Sequence, residues 1–352
     1  MDKIKIGIVG AGAVGGVICA MLAEKGYDVE VAKRYNSDIN LGGLTGLEIT
    51  GEFGNRNILV KAVNGVNGFT TKKDVIFVLT KAYDAPPVAE QCLPYLNENG
   101  IIISSQNVMN VEDMLSVVGA DRLFALIINW SATRYNKAKM EVTRAGNMII
   151  GNFGDKSQKY LEVVQKILNN VAPTEISNNI IGDIWCRTII NSCICSVGAL
   201  TGLNLGKTML IPTTKKIFTN IIFEAMNLAK TLNVQVKNYG SLNYYDFVQK
   251  GFKAYFYRRK MLRVLRRQNG HFVSSCQRAI ENNQKCEIDY LNGYFVKLGQ
   301  KYKINVPTNK RVLDMVYEVE RGERHMMVEN LLDYYLRHPK KYLKVIKINK
   351  EV

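Results

Sequence analysis

Short apolar runs alternate with helical patterns through the first half of the chain. Ile4, Ile6, Ile8 and Val9 predict a short buried strand, and the apolar positions that follow as far as Ala23 predict a helix. Further strands are expected over residues 27–32, 47–50, 58–63, 74–80, 101–105, 123–130, 140–143 and 148–151. Helices are expected over residues 87–96 and 156–170. This alternation predicts an α/β fold with a mostly parallel sheet.

Long helical patterns replace this alternation in the second half. They cover residues 183–200, 215–232 and 286–302, and a last one runs from residue 311 into the 330s. The periodic pattern is interrupted by Pro173 and by the polar run that begins at Ser177, which marks a domain boundary. We therefore expect an α/β domain over residues 1–176, a helical domain over 177–325 and a basic C-terminal extension over 326–352. This is an oxidoreductase layout, with the substrate expected in the cleft between the two halves.

A glycine-rich turn lies between the first strand and the first helix. Gly10 permits the tight turn, Gly12 has no Cβ to keep a pyrophosphate from the backbone, and Gly15 lets the helix lie close to the strand. The free N–H groups and the positive end of the helix dipole then face the phosphates. A dinucleotide is therefore expected on the whole turn, Gly10, Ala11, Gly12, Ala13, Val14 and Gly15.

The end of the second strand predicts which dinucleotide binds. An NAD enzyme places an acid there for the ribose 2′-OH, whereas an NADP enzyme places a cation for the 2′-phosphate. This chain has Ala32-Lys33-Arg34 at that point, and Glu30 lies earlier, inside the strand. NADP(H) is therefore favoured, with Arg34 as the first candidate ligand and Lys33 as the second.

Two polar residues follow later strands of the predicted sheet. Lys81 comes after the strand over residues 74–80, and Asn107 comes after the strand over residues 101–105. Ligands of open α/β sheets bind at the carboxyl ends of the strands, so both side chains are candidates for the site. A helix cap or a loop hydrogen bond is the alternative for either one.

Composition indicates a folded protein with reduced thiols. Of the 352 residues 47% are hydrophobic and 22% are charged, and neither a run that could span a bilayer nor a leader is evident. We therefore expect a cytoplasmic protein with no membrane partner. The seven cysteines are odd in number and scattered, which argues against a disulfide framework. The pair Cys193 and Cys195 lacks a second pair or a nearby histidine, so no metal site is expected.

The net charge of +16 is concentrated in two segments. Residues 247–280 contain nine Lys or Arg and no acid, and residues 336–352 add six more against one Glu. The spacing of Tyr257, Met261 and Leu265 predicts an amphipathic helix with a cationic face. Such a face could attract an anionic substrate or cofactor, contact nucleic acid, pack against an acidic partner, or simply be solvated.

Several motifs together resemble the ketopantoate reductase (2-dehydropantoate 2-reductase) family over about residues 3–320. They are GAGAVG, LTKAYD, SSQN, IGNFG, WCRTIINSCICSVGALTG, SSCQ and CEIDYLNGYFVKLGQKYKINVPTN. The resemblance implies a Rossmann-like NADPH domain and a helical C-terminal domain of the 6-phosphogluconate-dehydrogenase kind. It also implies reduction of a 2-oxo acid to a 2-hydroxy acid on the route to pantothenate and coenzyme A.

The resemblance also assigns expected roles by position. The glycine-rich turn, Arg34, Lys81, Asn107 and Ala132 would hold NADP(H). The family's catalytic lysine falls at Arg187, and its catalytic glutamate falls at Glu287. Substrate-binding positions fall at Asn107, Asn191, Cys195 and either Ser274 or Ser275. Residues 187, 191 and 195 share one face of a helix, so that face is expected to line the substrate site.

Two departures from the family pattern keep other functions open. Arginine is a poor acid, so Arg187 would clamp a carboxylate or polarise a carbonyl, and the proton would come from water, Glu287 or His271. Cys195 replaces a family asparagine and removes a hydrogen-bond partner. The alternatives are a reductase of the same fold that acts on a different small anionic carbonyl compound, and a non-catalytic dinucleotide-binding protein that regulates or associates with nucleic acid. A small 2-oxo acid is the favoured partner over nucleic acid, and a second copy of the chain is a further candidate.

Overall fold

The computed structural model describes residues 4–33, 43–106 and 108–342. The chain divides into two compact units, Met1–Ile180 and Ile181–Val352. The first unit is an α/β fold and the second is helical, as the sequence pattern predicts.

The first unit contains eleven strands and four α-helices within its described residues. The strands are β1 (Lys5–Val9), β2 (Asp28–Lys33), β3 (Leu44–Gly51), β4 (Arg56–Asn64), β5 (Lys73–Val78), β6 (Leu96–Ser104), β7 (Leu123–Ile128), β8 (Ser131–Arg134), β9 (Lys139–Arg144), β10 (Met148–Asn152) and β11 (Thr174–Ile176). The helices are α1 (Ala13–Glu24), α2 (Ala85–Cys92), α3 (Val111–Val118) and α4 (Leu161–Leu168).

These strands form one sheet with a Rossmann-like centre. Neighbouring strands follow the order β11-β10-β7-β6-β5-β1-β2-β4-β3-β9-β8. The six strands from β4 to β7 in this order pair in parallel. Chain order reverses between β1 and β5, and such a reversal is where open α/β sheets bind their ligands.

Apolar side chains cover both faces of this sheet. On one face Ile6, Ile8 and Val31 pack in a core to which α1 and α4 contribute. On the other face Ile76 and Ile102 pack in a core to which α2 and α3 contribute. Full burial of each such side chain contributes about 1.5–3 kcal/mol, so the two layers fix the sheet and the ends of its strands.

A buried ion pair joins β2 to β5 across β1. The Lys73 ammonium lies 2.7 Å from the Glu30 carboxylate, and neither side chain is more than 3% exposed. The backbone N–H of Thr70 donates to the same carboxylate at 3.1 Å. Burial raises the pKa of the Glu30 carboxyl, but hydrogen bonds from Lys73 and Thr70 outweigh it and lower that pKa below its ordinary value. The Glu30 carboxylate is therefore engaged in the fold.

Four predicted helices differ from the structure in extent. The one expected over residues 286–302 becomes an α-helix only at Asn292, after a 3₁₀ segment, Ile288–Tyr290. The helix expected over residues 87–96 ends at Cys92, and Leu96 begins β6. The helix expected over residues 156–170 starts as a 3₁₀ segment, Asp155–Tyr160, before α4. The helix expected to run from residue 311 into the 330s stops at Glu320, because Gly322 has a φ of +74° that an α-helix cannot contain.

The second unit contains nine α-helices in its described part. They are α5 (Ile180–Thr201, which starts at the last residue of the first unit), α6 (Leu205–Thr208), α7 (Pro212–Thr231), α8 (Tyr244–Val248), α9 (Phe252–Asn269), α10 (Ser275–Glu281), α11 (Asn292–Lys301), α12 (Pro307–Glu320) and α13 (Tyr334–Arg337).

Helix α5 is the central helix of this unit. By length and composition alone it could cross a membrane, which corrects the expectation that the chain has no apolar run of that length. However, 78% of its apolar window is buried inside the fold. Its apolarity therefore matches a core helix that is packed on most sides.

The segment that follows Gly322 folds back over the end of α5. The backbone N–H of Met327 and the side-chain amide of Asn330 both donate to the carbonyl of Leu200, at 3.0 and 2.8 Å. Arg311 of α12 donates to both carboxylate oxygens of Asp333. The described part of the basic extension is therefore packed against α5 and α12.

Candidate active site

The glycine-rich turn has the geometry that its sequence predicts. Gly10 has a φ of +97°, and a Cβ there would lie 2.6 Å from the Leu79 carbonyl carbon. A Cβ on Gly15 would collide with the Gly10 carbonyl oxygen, so glycine allows α1 to start directly against the turn. A Cβ on Gly12 would meet nothing within 4 Å. The turn is thus closed on the protein side at Gly10 and Gly15 and open at Gly12, where a pyrophosphate would lie.

The ends of β5 and β6 lie beside this turn. Leu79 donates its backbone N–H to the Val9 carbonyl at 2.8 Å, which continues the pairing of β1 with β5 up to the glycines. The Gln106 side-chain amide donates to the carbonyls of Val78 and Thr80, both at 3.1 Å. Lys81 is half-buried directly after this bridge. It therefore occupies the predicted edge of the sheet, at the point where the strand order reverses.

The other residues predicted to bind the cofactor fall into three groups: outside the described residues, bonded within the sheet, or packed against the core. Arg34 and Asn107 lie outside the described residues. The Lys33 ammonium is buried and donates to the Thr45 hydroxyl at 2.7 Å, so the structure engages it within the sheet. Ala132 is half-buried in β8 and packs against the core that α1 shares. Arg34 stays the predicted ligand for a 2′-phosphate.

In the second unit, one face of α5 carries the predicted substrate residues. Arg187 and Asn191 are half-buried, and Cys195 is buried with 4% of its surface exposed. The spacing of four residues places the three side chains one above another. Their presence on one face is as predicted, while their roles remain predictions.

Tyr239 supports the guanidinium of Arg187. The Arg187 guanidinium lies over the Tyr239 ring, 5.5 Å from its centroid, which is a cation–π distance. Two hydrogen bonds hold this segment against α5: the Lys237 N–H donates to the Gly182 carbonyl at 3.1 Å, and the Tyr244 hydroxyl donates to the Cys186 carbonyl at 2.9 Å. These bonds hold the Tyr239 segment where its ring faces the Arg187 guanidinium.

The structure separates the two candidate serines. Ser274 is 2% exposed and caps α10, because its hydroxyl accepts from the Gln277 N–H at 3.1 Å. Ser275 is exposed, and its hydroxyl lies 3.5 Å from the Cys195 thiol. The Ser275 hydroxyl therefore contacts the α5 face, while the Ser274 hydroxyl caps the start of α10.

Hydrogen bonds shift the Cys195 thiol toward its ionised form. The Cys276 thiol, the Ser275 hydroxyl and the Cys276 backbone N–H together outweigh burial and lower the pKa of Cys195 to about 7. The half-buried carboxylate of Glu287 opposes this shift through its charge. Cys195, Ser275 and Glu287 are thus brought into one neighbourhood of the second unit.

Two sequence profiles match this chain over most of its length. One, described as Ketopantoate reductase PanE/ApbA, matches residues 6–155, and its C-terminal counterpart matches residues 179–320. The chain belongs to the ketopantoate reductase family. Membership confirms the expectation of an NADP(H)-dependent oxidoreductase that acts on a CH–OH group.

Individual relatives are distant but extend over nearly the whole chain. The chain is 24% identical over 322 residues to the 2-dehydropantoate 2-reductase of Aquifex aeolicus, covering 89% of this chain and 96% of that protein. The fold is shared with a PanE/ApbA family ketopantoate reductase from Ralstonia eutropha (TM-score 0.77, 20% identity, 92% and 100% coverage). It is also shared with a D-mandelate dehydrogenase solved with NADH and anilino(oxo)acetate (TM-score 0.78, 18% identity, 91% and 99% coverage). These structural likenesses show the fold alone.

The cationic segment of this ketopantoate reductase family member is mostly the single helix α9. Met261 and Leu265 are buried as the periodicity predicts, and Arg258 donates to the carbonyls of Phe247 and Gln249 at 3.0 and 2.9 Å. Other cations of the helix, Lys253, Arg259, Lys260, Arg263 and Arg267, are exposed. The segment is therefore partly structural and partly a solvent-facing cationic surface.

Sequence reasoning did not identify two features of this site. Tyr239 lies in an irregular segment with no motif, and only its place beside Arg187 marks it. The contact of Cys276 with Cys195 depends on two segments that are far apart in sequence. Across the described residues, no group of three or more His, Cys, Asp or Glu side chains is arranged to hold a metal ion.

Proposed function

We propose that this protein reduces a small 2-oxo acid to the 2-hydroxy acid with NADPH, and that ketopantoate is the first substrate to test. The family and its 2-dehydropantoate 2-reductase relatives support this proposal. The observation that carries it is that Arg187, whose guanidinium packs on Tyr239, shares one face of α5 with Asn191 and Cys195. A fixed cation with neighbouring hydrogen-bonding groups suits a small anionic carbonyl compound.

Each residue has a distinct role in the proposed reaction. The glycine-rich turn and Arg34 hold NADPH, with Lys81 and Asn107 nearer its ribose and nicotinamide. NADPH, when bound, would supply a hydride for the carbonyl carbon of the substrate.

Arg187 stabilises the developing charge on the substrate oxygen or holds the carboxylate, and Tyr239 keeps its guanidinium in position. Asn191 and Ser275 bind the remaining polar atoms.

The proton must come from a group other than Arg187. Arginine keeps its proton at every working pH, so it acts through its charge. The Glu287 carboxylate acts on the Cys195 thiol through its charge, and we assign Glu287 the role of relaying a proton from water to the new alkoxide. We expect the protein to act in the cytoplasm, and a homodimer remains a prediction that light scattering would test.

The experiment measures NADPH oxidation at 340 nm with ketopantoate and with a panel of straight-chain, branched and aromatic 2-oxo acids. It compares the natural protein with Arg187→Lys and Arg187→Gln. The matched control is Arg321→Lys, because Arg321 is an exposed arginine of the same unit that pairs with Glu323. We expect turnover by the natural protein and a loss of about 100-fold in kcat/KM for Arg187→Gln, as for other preorganised electrostatic groups.

The outcomes separate the substrate from the reaction class. Turnover of ketopantoate by the natural protein supports the full proposal. Turnover of another 2-oxo acid, with ketopantoate reduced only by Arg187→Lys, supports the reductase and changes the substrate. NADPH binding without turnover of any 2-oxo acid by any variant would overturn the proposal.

A further inference from the structure

The Cys276 thiol lies close to two other cysteine thiols, each from a different segment. Cys195 belongs to α5, Cys276 to α10 and Cys286 to the segment after α10. The Cys276 thiol interacts with the thiols of both Cys195 and Cys286. All three residues are buried, with 4%, 1% and 1% of their surfaces exposed.

Close packing of α5 against the start of α10 creates this contact. A Cβ on Gly198 would come within 3.1 Å of the Ser274 Cβ and even closer to its hydroxyl, so glycine is what lets the two segments touch. One helical turn earlier, Cys195 faces Ser275, at 3.5 Å, and then Cys276. The proximity of the two thiols is therefore a consequence of helix packing.

Cys195 differs chemically from the other buried cysteines. Burial raises the pKa of Cys19 and Cys92 to about 12, and it raises that of Cys193 as well, which keeps these thiols protonated and inert. The Cys195 sulfur instead lies 3.5 Å from the Ser275 hydroxyl and interacts with Cys276, and these contacts lower its pKa. Its thiolate is the nucleophilic form, and a second thiol is already in contact with it.

We propose that Cys195 and Cys276 form a reversible disulfide when the protein meets a peroxide, and that this bond removes the Cys195 thiol from the substrate-facing side of α5. The Cys195 thiolate attacks one oxygen of hydrogen peroxide, the O–O bond breaks, and Cys195 becomes a sulfenic acid while hydroxide leaves and takes up a proton as water. The Cys276 sulfur then displaces the sulfenic hydroxyl as a second water. The two thiols lose two electrons, and the peroxide gains them.

The disulfide removes groups that the proposed reaction uses. Cys195 loses its thiol on the face that carries Arg187 and Asn191, and the Ser275 hydroxyl then faces a disulfide sulfur in place of a thiolate. The loss of activity rests on the proposed function, whereas the disulfide itself does not. A dithiol restores both thiols by exchange.

The test treats the full chain with hydrogen peroxide and maps disulfides by differential alkylation and peptide mass spectrometry. We expect a cross-link between the peptides of Cys195 and Cys276, loss of two hydrogens, and reversal by dithiothreitol. Turnover of a 2-oxo acid should fall about tenfold or more on oxidation and recover on reduction. NADPH binding, followed by fluorescence, should survive oxidation because the glycine-rich turn contains no cysteine.

Two serine variants provide the comparison. Cys276→Ser should lose the cross-link and oxidise further at Cys195, so dithiothreitol no longer restores its activity. Cys193→Ser is the matched control: its thiol lies on the same helix but points to the Phe218 carbonyl at 3.8 Å, and its response should equal that of the natural protein.

A cross-link between Cys276 and Cys286, or overoxidation of Cys195 without any cross-link in the natural protein, would overturn the proposal. A cross-link that forms while no 2-oxo acid is turned over would support the disulfide and count against the proposed function.

Discussion

The Ser274 side chain occupies the space that a Cβ on Gly198 would need. Alanine at position 198 would gain about 1 kcal/mol of helix propensity but would press on Ser274, and overpacking of this kind costs about 1–3 kcal/mol. We expect Gly198→Ala to lower the free energy of unfolding and to raise KM, because α10 carries Ser275. Urea denaturation and steady-state kinetics measure the two effects.

The control for this prediction is a double variant. Glycine is tolerated as a helix N-cap at a cost of a few tenths of a kcal/mol, so Ser274→Gly relieves the clash with little other change. Gly198→Ala should therefore destabilise the Ser274→Gly protein less than it destabilises the natural one. Equal losses in both backgrounds would show that the two residues are not coupled.

The glycine-rich turn should separate cofactor binding from folding. A Cβ on Gly12 meets open space, so Gly12→Ala should leave the thermal midpoint almost unchanged while it weakens NADPH binding at least about tenfold. A Cβ on Gly15 meets the Gly10 carbonyl, so Gly15→Ala should lower the midpoint itself. Calorimetry and fluorescence titration distinguish the two, and a Gly12→Ala protein that binds NADPH normally would contradict the proposed phosphate position.

Cofactor preference should depend on Arg34 and not on Lys33. A charge-assisted hydrogen bond contributes about 1.5–3 kcal/mol, so Arg34→Ser should weaken NADPH binding roughly 10- to 100-fold and leave NADH binding nearly unchanged. Lys33→Met breaks a bond to Thr45 inside the sheet, so it should lower stability but keep the preference for NADPH. The measurement is the ratio of the dissociation constants for NADPH and NADH. A loss of NADPH preference in Lys33→Met but not in Arg34→Ser would assign the 2′-phosphate to Lys33 instead.

Removing one partner of the buried pair of Lys73 and Glu30 should lower the free energy of unfolding strongly, whereas replacing both partners should lower it much less. Lys73→Met leaves a carboxylate in the core and should lower the free energy of unfolding by about 3 kcal/mol or more. The double variant with Glu30→Gln should recover more than half of that loss. Lys139→Met is the control, since Lys139 and its partner Glu48 are each about 40% exposed and solvent screens their pair, so its loss should change the stability far less.

Alkylation of Cys195 should follow an unusually low pH midpoint. Its rate with iodoacetamide should reach half of its maximum near pH 7, whereas an ordinary thiol does so near the reference pKa of 9.0. Because the folded pKa is the lower one, the thiolate stabilises the fold fully above about pH 9, and this contribution is lost as pH falls through 7.

Ser275→Ala tests the cause of that midpoint. This variant removes one of the donors to the Cys195 sulfur, so its midpoint should lie higher than that of the natural protein. An unchanged midpoint would show that the Ser275 hydroxyl does not act on Cys195.

The parts of the fold that depend on local sequence could be predicted, and those that depend on distant packing could not. The strand, turn and helix around Gly10 follow from neighbouring residues, as does the alignment of Arg187, Asn191 and Cys195 on one helix. β8 was missed because its four residues carry no apolar alternation and pair only through the tertiary fold.

The same limit applies to the candidate site. The sequence alone left Ser274 and Ser275 equivalent, and only the cap geometry of α10 distinguishes them. Tyr239 lies under Arg187 because its segment is bound to the start of α5, which no local pattern encodes. Cys195 and Cys276 are 81 positions apart in the sequence, so no local pattern predicts their contact.

The basic extension also has a mechanical consequence. Hydrogen bonds from Lys237 and Tyr244 hold helix α5 near its first turns, and hydrogen bonds from Met327 and Asn330 hold its last turn. A chain cut after residue 325 would keep every candidate catalytic group but would leave the Leu200 carbonyl to solvent, and the end of the helix would fray. We therefore expect the segment that contains Met327 and Asn330 to limit the motion of α5, and with it the motion of the side chains of Arg187, Asn191 and Cys195.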